Sequence, residues 1–118
     1  MVRILLIRHA ATAWTAQGRF QGQTDVPLSR HGRRQVATLV QRLRTETLHT
    51  LYASDLQRAW ETAQAIATRH ALHVHAEPRL REMAFGGWEG LAYDEIQQQD
   101  AARLAQRLNG RTFVLTTT

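Results

Sequence analysis

Three places in this sequence carry side chains that could do chemistry together. Arg8 and His9 follow directly on the apolar run Ile4 to Ile7, Arg58 falls in the first turn of a predicted helix, and His70, His73 and His75 lie close together. A cation beside a titratable imidazole at the carboxyl end of a strand is where open α/β sheets bind ligands, and the chemistry it offers is recognition of an anion. The competing reading has both side chains simply emerging into solvent, because position in a fold does not by itself establish function. Arg58 poses the same choice. A cation among the free amides of a helix N-terminus opposes the macrodipole, so it either meets an anion there or bends back to water. His73 and His75 share one face of a predicted strand with His70 nearby. Spacing alone does not place three ligands in a fixed geometry, and histidines on an edge strand read as surface residues, so no metal is expected.

The elements that must position these groups follow from the hydrophobic pattern. Ile4 to Ile7, short and without a helical period, reads as a strand buried on both faces, as in a parallel sheet. Residues 12–32 hold Gly18, Gly22 and Pro27 with no sustained period and read as a long loop of the kind that borders a site. From Ser29, which is placed to cap, Val36, Leu39, Val40 and Leu43 recur at helical spacing. Thr50 to Ser54 reads as a second strand. The helix after it has Ser54 or Asp55 as its cap and Leu56, Ala59, Ala63 and Ile66 on one face. Leu72 to Glu77 alternates as a third strand, and a glycine-containing loop follows. A third helix runs over 92–108 with Ile96, Leu104 and Leu108 along one side and Asn109-Gly110 as its stop. The run Thr112 to Thr118 reads as a closing strand. The order β-α-β-α-β-α-β predicts a layered α/β fold with a mainly parallel sheet.

Length and charge narrow the classes. A chain of 118 residues, 43% hydrophobic, supports one domain, residues 1–118, with a real core. It has no cysteine, so thiolate chemistry and disulfides are excluded, and its only N-terminal apolar run is too short for a signal peptide or a membrane span. A cytoplasmic location and no membrane partner are expected. The net charge of +5 comes from 15 basic residues, all arginine, against 10 acidic ones. They are spread along the chain instead of gathered in a block, which argues against a nucleic-acid partner, and arginine suits bidentate recognition of phosphate. A GC-rich genome explains the complete absence of lysine better than any function does.

Four blocks, "RHAAT", "GRFQGQTDVPLSRHG", "YASDLQRAWETA" and "LREMAFGGWEGLAYDEI", stand in an order and spacing that resemble the histidine phosphatase superfamily, with "QGQTDVPLS" and "FGGWEGLAYDEI" nearest its phosphoglycerate mutase-like and α-ribazole phosphatase-like branch. The resemblance runs from Val2 to about Ile96. It implies a three-layer α/β/α fold of phosphoglycerate mutase type, shortened at its C-terminus, and a phosphomonoester hydrolase working on a small phosphorylated metabolite through a phosphohistidine, with no cofactor. On this resemblance His9 is the nucleophile, and Arg8 and Arg58 hold the phosphoryl oxygens. Glu82, an unremarkable loop carboxylate by itself, becomes the proton donor to the leaving alkoxide and the acceptor from water. Thr12, Gln21, Gly22 and Thr24 match the loop that lines the substrate pocket. Two nearby cations also give a physical reason for an imidazole that stays neutral and nucleophilic. Trp14 and Trp88 either wall the pocket or pack as ordinary apolar surface.

Three departures qualify the match. Ala10 stands where the family usually has glycine, so a methyl group there would force a positive-φ backbone or crowd the phosphate, and Thr15 stands where asparagine commonly follows the tryptophan. The "SHG"-like motif carrying the family's second catalytic histidine is absent from the sequence. Two readings follow: a truncated or degenerate noncatalytic member that binds phosphate ligands or dimerises, or a shortened form whose residues 112–118 fill the sheet. Either way the first strand is expected to pair, with the chain's own tail or with a second copy in a homodimer through the exposed sheet edge. Hydrolysis is expected over mutase transfer, since transfer needs the intermediate shielded from water and a short chain has less material for a lid.

Overall fold

The computed structural model describes residues 1–109, and the side chains of 1–107. Its elements are α1 (Ala13–Ala16), α2 (Arg30–Arg42), β1 (Leu51–Ala53), α3 (Gln57–Arg69), β2 (Val74–Ala76), single 3-10 turns at Pro78–Leu80 and Gly86–Trp88, and α4 (Tyr93–Asn109). β1 and β2 pair in parallel, Leu51 opposite Val74 and Ala53 opposite Ala76. A parallel pair needs a crossover, and α3 supplies it, packing on both strands and against α2. The predicted α/β class with a parallel sheet is therefore the observed one.

The core is small and sits under α3. Leu56, Ala63, Ile66 and Ala67 are buried with Val36 of α2 and Ala53 of β1. Ser29 caps α2 as expected, its hydroxyl accepting from the Gly32 amide. α3 begins differently from the sequence reading. Its N-cap is Leu56, with no side-chain cap, and Asp55 is committed to Arg81 instead. The free Gln57 amide is taken by Asp25, 2.7 Å away, which reaches in from the preceding loop. Local sequence could not show this cap, because its donor and acceptor lie far apart in the chain.

That loop is also less irregular than its composition implies. Thr12 and Thr15 form a reciprocal capping box that starts α1, so Thr15, a departure from the family pattern, has a structural task. Arg19 and Ala92 form an antiparallel bridge, bringing the loop against the segment before α4. α4 carries Ile96 and Leu104 inward as predicted, but Asp100 has non-helical angles (φ −152°, ψ 45°) and kinks it. The Asp100 carboxylate at this kink accepts the Trp88 indole N–H at 3.1 Å. Leu108, the third residue of the predicted stripe, lies beyond the described side chains.

One expectation is corrected outright. Ile4 to Ile7 pairs with no strand among the described residues, and its side chains are exposed, Ile4 at 74% and Leu6 at 65%. A strand is buried on both faces only when neighbours cover it, and the described residues furnish none there. The Gly110 of the predicted helix stop and the predicted closing strand Thr112 to Thr118 lie outside the described residues. No described helix is long and apolar enough to cross a membrane.

Candidate active site

His9 lies on a segment fastened from two sides. The Ala10 amide donates to the Thr62 hydroxyl on α3 at 3.3 Å, and the Ala11 amide donates to Gln35 Oε1 on α2 at 2.9 Å. The Ala11 carbonyl accepts from the Ser29 amide at 3.0 Å and from its hydroxyl at 3.2 Å. Gly32, in the first turn of α2, lies so close to this carbonyl that a Cβ there would be 2.0 Å from the oxygen. The imidazole itself is half-buried. Its Nδ1 is 2.7 Å from the Ala10 carbonyl oxygen, and since a carbonyl only accepts, Nδ1 carries the proton and Nε2 of the neutral ring keeps its lone pair. Ala10 does not take the positive φ anticipated for its position, because Ala71 is the one non-glycine residue with positive φ among those described.

Burial pulls the His9 pKa below its ordinary value of 6.5, and the charges of Arg58 and Arg8 act in the same direction. The hydrogen bond to Ala10 and the charge of Glu82 oppose them. The cations expected to keep the ring neutral are therefore in place, but desolvation is the larger cause. Arg8 is exposed, whereas Arg58 is 2% exposed and keeps its charge in that setting because a guanidinium does not deprotonate in proteins. Glu82 is exposed and within electrostatic reach of both His9 and Arg58. Thus His9, Arg8, Arg58 and Glu82 converge although they are spread over more than half of the chain.

The four loop residues are brought to the same place with different tasks. Arg58 Nη1 donates to the Thr24 carbonyl at 2.7 Å and Nη2 to the Gly22 carbonyl, so the loop backbone orients the guanidinium. Thr12 is fully buried, and its hydroxyl donates to Gln21 Oε1 at 2.6 Å. Gln21 Nε2 donates in turn to the Thr15 hydroxyl at 3.3 Å. The side chains of Thr12 and Gln21 thus brace the loop internally. Gly22 has φ +54°, and a Cβ on it would be 2.8 Å from Glu89 Cδ and 3.0 Å from the Met83 carbonyl oxygen. Gly22→Ala is accordingly expected to cost about 2–4 kcal/mol, from backbone strain and collision together. Gly18→Ala is the reference, since Gly18 has a similar φ of +64° and open space around it, and should cost only about 1–2 kcal/mol. Urea unfolding of both variants separates the collision from the strain.

Residues that sequence reading passed over complete the frame: Thr62, Gln35, Asp25 and above all Glu89. Glu89 Oε1 accepts from the Thr24 amide and hydroxyl, both at 2.6 Å, while Oε2 accepts from the amides of Gly86 at 2.9 Å and Phe85 at 3.2 Å. Burial alone would raise its pKa, but these bonds outweigh it and hold the carboxyl below the usual range. The available signal was an acid just after Gly86-Gly87, where free turn amides need an acceptor. Trp14 and Trp88 both pack. Trp14 lies against Gly90, and Trp88 meets Phe20 edge-on at 6.2 Å and carries Arg107 over its ring at 5.4 Å. Trp88 also lines a cavity of about 830 Å³ beside α4 whose lining does not include His9. His70 Nε2 is bonded to the Leu43 carbonyl and His75 rests on the Tyr52 ring; among the described residues no group of His, Cys, Asp and Glu is arranged to hold a metal.

Comparison with known proteins identifies the family. Residues 4–115 match the model of the histidine phosphatase superfamily (branch 1), and the chain belongs to that family. It is 38% identical over 99 residues to phosphoserine phosphatase 1 of Hydrogenobacter thermophilus, covering 84% of this chain and 47% of that protein. It is 36% identical over 110 residues to a probable phosphoglycerate mutase of Yersinia enterocolitica, covering 93% of this chain and 51% of the relative. A mycobacterial glucosyl-3-phosphoglycerate phosphatase, solved in complex with VO3, superposes with a TM-score of 0.77 at 37% identity over 84% of this chain and 48% of its own. The chain spans about half the length of the curated relatives it matches.

Proposed function

We propose that this site hydrolyses the phosphomonoester of a small metabolite through a phosphohistidine on His9. The observation that carries the reading is the His9 ring: Nδ1–H is spent on the Ala10 carbonyl, which leaves Nε2 bare in the company of Arg8 and Arg58. In the first step the Nε2 lone pair forms an N–P bond as the P–O ester bond breaks, and Glu82 gives its carboxyl proton to the departing alkoxide. Arg8 and Arg58 neutralise the nonbridging oxygens as charge develops on them. In the second step water attacks phosphorus, the N–P electron pair returns to Nε2, and Glu82 takes the water proton. Phosphate then leaves. Thr12, Gln21, Gly22 and Thr24 serve the substrate through the loop that borders the phosphoryl, Thr12 and Gln21 by bracing it internally and Gly22 and Thr24 by holding Arg58.

The exposure of Glu82 favours hydrolysis over return of the phosphoryl to a second substrate, because water reaches the group that must activate it. The relatives' names point to phosphoserine, phosphoglycerate and glucosyl-3-phosphoglycerate, all small organic phosphates, and the sequence resemblance adds α-ribazole phosphate to that class.

The test is hydrolysis of p-nitrophenyl phosphate in the absence of added metal, followed against pH. Protonated His9 has no lone pair to attack with, so kcat/KM should fall as pH drops through the depressed His9 pKa. The acid limb should therefore have its midpoint below 6.5, with His9 neutral and the rate insensitive to this group at pH 7. Absence of hydrolysis in protein shown to be folded would leave a noncatalytic phosphate binder as the reading of this site.

A further inference from the structure

We infer that Glu89 is the positioning residue for the phosphoryl-binding arginine, acting through the backbone of the Gly22–Thr24 loop; the inference rests on the reading of Arg58 as a phosphoryl ligand. Two carboxylate oxygens meet four donors from two separate segments, the Thr24 amide and hydroxyl on one side and the Phe85 and Gly86 amides on the other. No neutral side chain of that shape can replace it. Glutamine has one acceptor oxygen, so either the Thr24 pair or the Phe85–Gly86 pair would face an NH2 group, donor against donor.

What the clamp holds is the surface that aims Arg58. The carbonyls of Gly22 and Thr24 accept from the two terminal nitrogens of the guanidinium, and a planar fork held at both ends has its plane and its remaining N–H groups oriented. Gln23, Thr24 and Asp25 are exposed, and apart from the Arg58 bonds themselves this stretch is tied to the body of the protein by Glu89, by the Asp25–Gln57 bonds and by Gln23 Nε2, which donates to the Glu82 carbonyl at 3.2 Å. Glu89 is thus remote from the imidazole in bonding yet two hydrogen bonds from the arginine beside it. The absence of a carbon on Gly22 is part of the same device, since a Cβ would occupy the space of the Glu89 carboxyl.

Titration of the 15N-labelled protein with inorganic phosphate, read at the Arg58 side chain, tests this without requiring turnover. Glu89→Gln should bind phosphate about tenfold more weakly than the unmodified protein, the equivalent of one charged hydrogen bond. Its Arg58 signals should broaden while its melting temperature stays within a few degrees. Glu77→Gln, which removes a carboxylate from a surface pair with Arg79, should leave phosphate affinity unchanged. Equal affinity in folded Glu89→Gln and unmodified protein overturns the inference and leaves the function standing. No phosphate binding in the unmodified protein overturns both. Should Glu89→Gln not fold, Glu89→Asp, which keeps the charge but is too short to span both segments, takes its place with the same expectation. Amide exchange in the unmodified protein reads the clamp directly: the Phe85 and Gly86 amides, which donate to the Glu89 carboxylate, should exchange slowly although Gly86 is exposed, and fast exchange at both overturns it.

Discussion

Replacing His9 by alanine should lower kcat/KM for p-nitrophenyl phosphate by about 10⁴-fold or more, because it removes the atom to which the phosphoryl is transferred in the proposed mechanism. The arginines cannot make up the loss, since a guanidinium stabilises charge but holds no lone pair available to attack. The structural cost is small by comparison. The variant gives up the hydrogen bond from Nδ1 to the Ala10 carbonyl, worth about 1 kcal/mol net, and a half-buried ring, while Ala10 and Ala11 keep their bonds to Thr62, Gln35 and Ser29. A large kinetic loss with a nearly unchanged melting temperature is therefore the expected pairing. Quenched mixtures should show one added phosphoryl group by intact mass for the unmodified protein and none for His9→Ala. Retained activity in the variant would remove His9 from the mechanism.

Gly32→Ala should be the most damaging single-methyl change among the described glycines outside the positive-φ turns. The new Cβ would stand 2.0 Å from the Ala11 carbonyl oxygen and 2.9 Å from its carbon, and both are backbone atoms that cannot swing aside as a side-chain tip can. Relief requires α2 or the His9 segment to move by more than an ångström, which breaks the Ser29 bonds to the same carbonyl. Alanine is the better helix former by about 1 kcal/mol, so the collision must exceed that gain. Overpacking of about 3 kcal/mol or more, set against the ~5–15 kcal/mol that holds a domain together, should lower the melting temperature by about 10 °C and depress activity as His9 shifts. Gly87→Ala, with nothing within 4 Å of the added carbon, should change neither. Equal stability of the two variants would show that α2 does not press on the His9 segment.

The sequence disclosed the parts governed by short-range rules. Ser29 caps α2, Leu56, Ala63 and Ile66 of the α3 stripe are buried with Ala59 only partly so, and Ile96 and Leu104 face inward, because caps and helical periods are local properties. Ile4 to Ile7 misled for the opposite reason: a run of apolar residues states a demand for neighbours, and only the rest of the chain can show whether it is met. At the site, the Arg8-His9 pair was visible as chemistry, and Arg58 as an anomaly of charge at a helix start. The convergence of Glu82 with them rested on family resemblance alone. The clamp by Glu89, the hydroxyl of Thr62 and the cap from Asp25 join residues with no pattern between them, and the cap that local rules placed at Ser54 or Asp55 is supplied from residue 25.

The bonds that assemble the site have an order in time built into them. Arg58 joins Gly22 across 36 positions, Asp25 joins Gln57 across 32, and Glu89 joins Thr24 across 65. Each closes a loop whose entropy must be lost before the contact gives anything back, so these are late events on any folding route. On the ribosome, where the N-terminal part emerges first, α2 and the His9 segment can dock while residue 89 is still unmade. His9 is then in place before the frame that orients Arg58, and that frame is complete only once the Gly86–Glu89 turn has been synthesised and has closed over the loop.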